Sequence, residues 1–248
     1  MYSGQYAIAN PDRPAFIMAG SGIAVSYAEF EARSNKLAHF LRDQGLGFQD
    51  HYAIFMENNE RYMESCSAGE RAGLYYTCIN SYLTGDELAY IVNNSESKVL
   101  ITSKAKIDVV ADALSSCPNI EVVLVTDAAD TDLPQLMTDY ASAILEYPAT
   151  PLADETLGTS MLYSSGTTGQ PKGIIRPLPV QAPQDPLPMY SFLSDLWGYR
   201  EDMVYLSPAP LYHSAPQAAV NLTIRTGGTV VIMERFDPLE YLHLIQRY

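Results

Sequence analysis

Positive charge is scarce in this sequence: 15 Lys and Arg stand against 29 Asp and Glu over 248 residues, a formal net charge of −14. A surface with that balance repels polyanions, which excludes nucleic acid and anionic membranes as general partners. Cysteine is scarce too. Cys66, Cys78 and Cys117 lack metal-ligand spacing and sit near apolar neighbours, which predicts buried free thiols in a reducing compartment. His39, His51, His213 and His243 are scattered and add no cluster, so no metal-ligand residue is expected. No apolar run approaches the ~20 residues needed to span a bilayer. Met1-Tyr2-Ser3-Gly4-Gln5 lacks a basic segment followed by an apolar one. A transmembrane segment and a signal peptide are therefore not expected, and the expected location is cytoplasmic.

What is present suits a globular chain. Apolar residues make up 47% and charged residues 18%, enough to build one large or two small cores. Ser26-Tyr27-Ala28-Glu29 has capping-box spacing and opens a helix carrying Phe30, Leu37, Phe40 and Leu41. Tyr52 to Met56 reads as a strand, Glu60 to Ala72 as a helix stopped by Gly73, and Leu74 to Ile79 as a buried strand. Thr84-Gly85-Asp86-Glu87 repeats the capping box before a helix through Leu88, Ile91 and Val92. Val99 to Thr102 and Ile120 to Val125 are further strands, separated by a helix that Ser103 could cap. Strand and helix in this alternation imply right-handed crossovers and an α/β fold, a mostly parallel sheet with helices on both faces.

Between Asp127 and Leu157 the pattern weakens, and the acidic and proline residues predict an exposed, partly helical connection rather than core. Thr159 to Tyr163 restores a strand. Prolines from Pro177 to Pro188 interrupt regular structure before a helix over Met189 to Trp197. Met203 to Leu206 is a strand, His213 to Ile224 a helix, and Gly227-Gly228 a turn into the strand from Thr229 to Met233. Asp237-Pro238-Leu239-Glu240 caps a final helix with a stripe of Leu239, Leu242, Ile245 and Tyr248. Residues 1–190 thus form a first α/β subdomain, and 191–248 begin a second that looks cut short.

The richest chemistry lies in Tyr163-Ser164-Ser165-Gly166-Thr167-Thr168-Gly169-Gln170-Pro171-Lys172-Gly173. Main-chain amides and four hydroxyls can cradle a polyphosphate, and Lys172 brings one mobile positive charge. The spacing differs from the common triphosphate loop, because Pro171 precedes the lysine and Gly173 follows it, leaving no hydroxyl there for magnesium. Each residue alone would suit an ordinary surface turn; together, after a strand, they form an anion-cradling loop.

This segment resembles the signature loop of the adenylate-forming enzymes, a family that includes acyl-CoA synthetases, aryl-CoA ligases, peptide-synthetase adenylation domains and beetle luciferases. Pro210-Leu211-Tyr212-His213 resembles the family's Pro-Leu-aromatic-His segment. Asn80 through Leu88 and Glu234-Arg235-Phe236-Asp237-Pro238 look most like bacterial fatty-acyl-CoA ligases. The resemblance covers essentially the whole chain. It implies that ATP and a carboxylic acid form an acyl-adenylate, with Mg2+ as cofactor, and that coenzyme A then takes the acyl group as a thioester. On that reading Ser164, Ser165, Gly166, Thr167, Thr168, Gly169 and Lys172 hold the ATP phosphates, and His213 lines the acyl-carboxylate side. The plainer role for His213 is a partly buried histidine at a helix start, satisfied by its neighbours.

Two departures stand out. Ile174-Ile175-Arg176-Pro177 replaces the Ser/Thr-His segment that usually follows the loop. The motifs that the family uses for adenine, ribose, magnesium and the adenylation lysine do not occur before Tyr248. The resemblance therefore implies the N-terminal portion of the acyl-CoA synthetase fold, inactive alone, with the C-terminal portion of the ligase as its partner and a homo-oligomer as a further candidate state. The alternative is a non-catalytic paralogue that binds an acyl ligand or a partner.

Overall fold

The computed structural model describes residues 1–164 and 170–248. A short helix α1 (Gly4–Ala9) precedes β1 (Pro14–Met18), β2 (Ala24–Ser26) and α2 (Tyr27–Asp43). Then come β3 (His51–Phe55), α3 (Tyr62–Arg71), β4 (Tyr75–Cys78), α4 (Gly85–Asn94), β5 (Val99–Ser103), α5 (Ile107–Leu114) and β6 (Val122–Thr126). Next are β7 (Met137–Asp139), α6 (Tyr140–Ile144), β8 (Thr159–Ser160), β9 (Leu162–Ser164) and β10 (Lys172–Ile174). The chain continues through α7 (Pro188–Trp197), β11 (Val204–Ser207), α8 (Ser214–Arg225), β12 (Thr229–Ile232) and α9 (Pro238–Arg247).

The expected α/β architecture is present. Six parallel strands run in the order β7-β6-β5-β3-β4-β8. Because β4 and β5 flank β3 on opposite sides, the sheet reverses its direction of growth at β3, where open α/β sheets place their ligands. Alternation along β3 sends Tyr52 and Ile54 to one core, and Ala53 and Phe55 to another under α4 and α5. A second sheet has the order β11-β12-β1-β2, with only β2 antiparallel. Its strands come from both ends of the chain, so the two sheets do not follow the division at residue 190.

Helices α2, α3 and α8 fill the space between the sheets, and one apolar cluster runs from Phe16 and Val230 to Ile54 and Tyr76. Every residue of α3 is buried. Its charged side chains are matched: Arg71 donates to Glu31 at 2.6 and 2.8 Å, and Arg225 of α8 donates to Glu70 at 3.1 Å. Unpaired, such buried charges would each cost several kcal/mol, roughly 3–5. Gly158 has to be glycine for packing reasons, since an added Cβ would lie 2.7 Å from the Leu74 amide nitrogen.

Local signals translated directly. The amide of Ser26 donates to Glu29 at 3.0 Å, and that of Thr84 to Glu87 at 2.9 Å. Asp237 accepts from the amides of Leu239 and Glu240 at 3.0 and 2.8 Å. Two expectations need correction. The Ser103 side chain makes no cap hydrogen bond; its hydroxyl donates to Glu57 at 2.8 Å instead, across the switch at β3. The 127–157 stretch is not wholly external, because β7 extends the sheet and Met137, Tyr140 and Ile144 are buried. The apolar stripe on α9 is uncovered: Leu239, Leu242 and Ile245 are exposed, and Leu244 is the residue that reaches the sheet. Cys66, Cys78 and Cys117 are free and buried as expected.

Candidate functional site

Two features face the carboxyl ends of the strands. The first is the hairpin of β9 and β10, in which Ser164 pairs with Lys172, Tyr163 with Gly173 and Leu162 with Ile174. A loop leaving a single strand becomes an antiparallel ribbon here, so Lys172 is placed directly across from Ser164. Both residues are exposed. Ser165, Gly166, Thr167, Thr168 and Gly169, the centre of the expected phosphate loop, lie outside the described residues.

The ribbon is held by tyrosines from the first sheet and its helix. Tyr90 on α4 donates to the Pro171 carbonyl at 3.0 Å, and Tyr163 donates to Asn94 at 2.7 Å. Tyr75 on β4 donates to the carbonyl of Arg176 at 2.7 Å. Burial, with Tyr90 nearby, pushes the Tyr163 phenol up to about 12, so it stays a hydrogen-bond donor at neutral pH. Gly173 permits the close seat: a Cβ there would sit 2.9 Å from Cζ of Tyr163. The Arg176 side chain is exposed, while Leu178 in the proline-rich stretch is buried against Tyr75 and Met161.

The second feature is a cavity of about 260 Å3 bounded by Glu57, Asn58, Ser81, Tyr82, Tyr212 and Arg235, among others. These residues follow β3, β4, β11 and β12, so the carboxyl edges of both sheets open onto one space. Asn58 joins them. Its amide donates to the carbonyls of Ala209 at 3.1 Å and Met233 at 2.9 Å, and its oxygen accepts from the Leu211 amide at 2.8 Å. One side chain after β3 thus fixes the segment that carries Tyr212 and His213.

His213 is the N-cap of α8 and is exposed, with its ring 4.4 Å from that of Tyr212. It borders the cavity through Tyr212 rather than lining it, and it is not the partly buried histidine that the plainer reading required. Met189 and Trp197, at the two ends of the expected helix, are both exposed on α7. Asn58, Glu57 and Tyr82 were not legible as site residues. The one available signal was position, since polar residues immediately after a buried parallel strand lie where such sheets bind ligands.

Among the described residues no group of three or more His, Cys, Asp or Glu side chains could hold a metal ion, so no residue here is assigned to magnesium. Among them, too, no helix is long and apolar enough to cross a membrane.

Comparison with known proteins adds a family to this geometry. Residues 5–248 match the model of the AMP-binding enzyme family. A medium/long-chain-fatty-acid–CoA/3-oxocholest-4-en-26-oate–CoA ligase of Mycolicibacterium smegmatis is 28% identical over 246 residues, covering 93% of this chain and 44% of the relative. A 4-coumarate–CoA ligase 1 of Petroselinum crispum is 26% identical over 245 residues, covering 96% and 43%. The chain thus spans less than half the length of these curated relatives. Among solved structures, ATP-bound MatB from Rhodopseudomonas palustris superposes with a TM-score of 0.73 at 26% identity, covering 100% of this chain and 48% of that one. The inhibitor-bound N-terminal domain of FACL13 from Mycobacterium tuberculosis gives 0.79 at 24% identity, covering 98% and 58%, a likeness of fold.

Proposed function

The chain belongs to the AMP-binding enzyme family, and from that premise we propose that it supplies the ATP-phosphate-binding part of an acyl-CoA ligase acting on a carboxylic acid, a fatty acid by class. The observation that carries this reading is the family match running through the segment at 163–173, whose two ends stand paired as Ser164 and Lys172. In this reading the acid's carboxylate oxygen attacks the α-phosphate of ATP, pyrophosphate departs, and the thiol of coenzyme A then displaces AMP. Ser164 through Gly169 and Lys172 receive the β- and γ-phosphates. Magnesium accompanies the nucleotide and neutralises phosphate charge. His213, at the mouth beside Tyr212, serves the carboxylate side.

The relatives' greater length supports a further partner: polypeptide equivalent to their C-terminal portion, which would complete the adenine and coenzyme A contacts. The 248 residues alone bind ATP weakly and form no appreciable adenylate in this reading. The test is titration of a fluorescent ATP analogue into wild type and Lys172→Ala. A charge-assisted hydrogen bond of roughly 1.5–3 kcal/mol corresponds to a loss of about tenfold or more. Equal affinity in the two proteins would remove Lys172 from the site. ATP–pyrophosphate exchange by this chain alone, at the rate of an intact ligase, would refute the need for a further portion.

A further inference from the structure

The inter-sheet layer holds a second reactive centre that the ligase reading does not use. Cys66 on α3 and Cys78 at the end of β4 bring their sulfurs to 3.8 Å, with both side chains buried. Gln217 on α8 directs its amide at the pair, 2.9 Å from the Cys78 sulfur and 3.8 Å from that of Cys66. An N–H donor that close favours the charged sulfur, and a thiolate is the nucleophilic form. Cys117 provides the contrast within the same molecule. It is also buried, but it sits in the apolar cluster under α4 and α5, with no sulfur partner.

We propose that Cys66 and Cys78 are an oxidisable dithiol that closes to a disulfide on exposure to a small peroxide. The Cys78 thiolate attacks one peroxide oxygen, the O–O bond breaks, and the departing hydroxide takes a proton to become water. The resulting Cys78 sulfenic acid is then attacked by the Cys66 sulfur. The S–S bond forms as the S–O bond breaks, and the leaving hydroxide takes the Cys66 proton to give a second water. Two thiols lose two electrons in total, and one peroxide gains them.

Direction of titration agrees with this order. Burial opposes ionisation of Cys78, but Cys66, Tyr62 and Gln217 beside it hold its thiol below the ordinary value. Burial, together with Cys78, pushes Cys66 up. The shorter approach of the Gln217 amide, 2.9 Å to Cys78 against 3.8 Å to Cys66, makes Cys78 the attacking sulfur and Cys66 the resolving one. Closure draws the sulfurs from 3.8 Å to a bond of about 2.05 Å. Burial excludes bulky disulfides such as oxidised glutathione, so the oxidant in this proposal is a reagent close to water in size.

The digestion map makes the test direct, because trypsin puts Cys66 in Tyr62–Arg71, Cys78 in Ala72–Lys98 and Cys117 in a third peptide. The folded chain is treated with hydrogen peroxide, its circular dichroism is checked, the peroxide is removed, and the chain is unfolded in denaturant, alkylated and digested without reductant. The expected product is Tyr62–Arg71 joined to Ala72–Lys98, lighter by two hydrogens, with Cys117 alkylated. In Cys66→Ser treated with peroxide and then unfolded in denaturant containing dimedone, the reagent should trap the sulfenic acid on Cys78. Gln217→Leu, which removes the donor while keeping bulk, should slow closure by about tenfold. Full alkylation of all three thiols after peroxide, or oxidation of Cys117 as fast as the pair, would overturn the proposal.

Discussion

The two sheets of this molecule are built by the same rules and finished to different degrees. Around the first sheet, α3 is wholly buried and α4 and α5 close the far face over Phe55, Leu100 and Val123. Around the second, α7 has no buried residue and α9 buries only Leu244, while Phe192 and Leu242 are 60% and 61% exposed. Both helices are amphipathic and properly started, one by Pro188 and the other by the Asp237 cap. The difference teaches that local helix signals work without a packing partner, whereas burial needs something to bury against. Exposed apolar faces of this extent mark contact surfaces, which agrees with relatives more than twice as long as the matched segment.

The sharpest way to break that contrast is at the charged centre of the finished region. Arg71→Ala would leave Glu31 and Glu155 facing each other without their cation. A loss of about 3–5 kcal/mol is expected in denaturant unfolding; a loss near zero would mean that the inter-sheet layer is wetter than its packing indicates. Next comes a matched pair. Leu37→Ala, in the shared core, should cost about 2–5 kcal/mol, and Leu242→Ala, on the open face of α9, no more than about 0.5. Equal costs would erase the distinction between the regions.

Acid should separate the regions as well. Burial raises the carboxyls of Glu31 and Glu70, yet Arg71 outweighs it for Glu31, and the Met1 amino group with Arg225 outweighs it for Glu70. Both end below the ordinary 4.5, Glu70 at about 2. The folded state therefore holds fewer protons than the unfolded one between these values. The contribution of these two carboxylates is complete above pH 4.5 and is lost as the pH falls toward 2. Unfolding midpoints measured across that range should drop for wild type, and the drop should be shallower in Glu70→Gln. An identical slope in the two proteins would move the acid sensitivity elsewhere.

The smallest effect compares two similar caps. Ser26→Ala should cost about 1 kcal/mol, since α2 is packed and its loss is felt globally. Asp237→Ala removes an equivalent cap, but from a helix that contributes little burial. Hydrogen exchange should show α9 fraying while the global midpoint barely moves. A global loss as large as that of Ser26→Ala would show that α9 is better anchored than Leu244 alone suggests.

Legibility followed the range of the interaction. The capping boxes at Ser26 and Thr84, and the strands around Tyr52 and Val99, were readable because neighbours a few residues apart determine them. The buried β7 and Tyr140 were missed because acidic and proline residues around them gave no periodic signal, although the sheet had an open edge to fill. Lys172 and Ser164 were identifiable as chemistry, but their pairing across a ribbon was not. Asn58 was invisible as an organiser, since its partners are about 150 residues away. Ser103 suited a helix cap in sequence and found Glu57 in space.

The order of residues alone determined the succession of strands and helices, the caps, the glycine-rich segment and its family, because all of these rest on residues within a turn or two of chain. Folding decided what no short window contains. It set the first strand of the chain beside its last, closed a cavity on the ends of two sheets, placed Cys66 against Cys78 and left one face of α9 bare. Those outcomes depend on which distant surfaces meet, and that is set by the summed burial and charge pairing of the whole molecule.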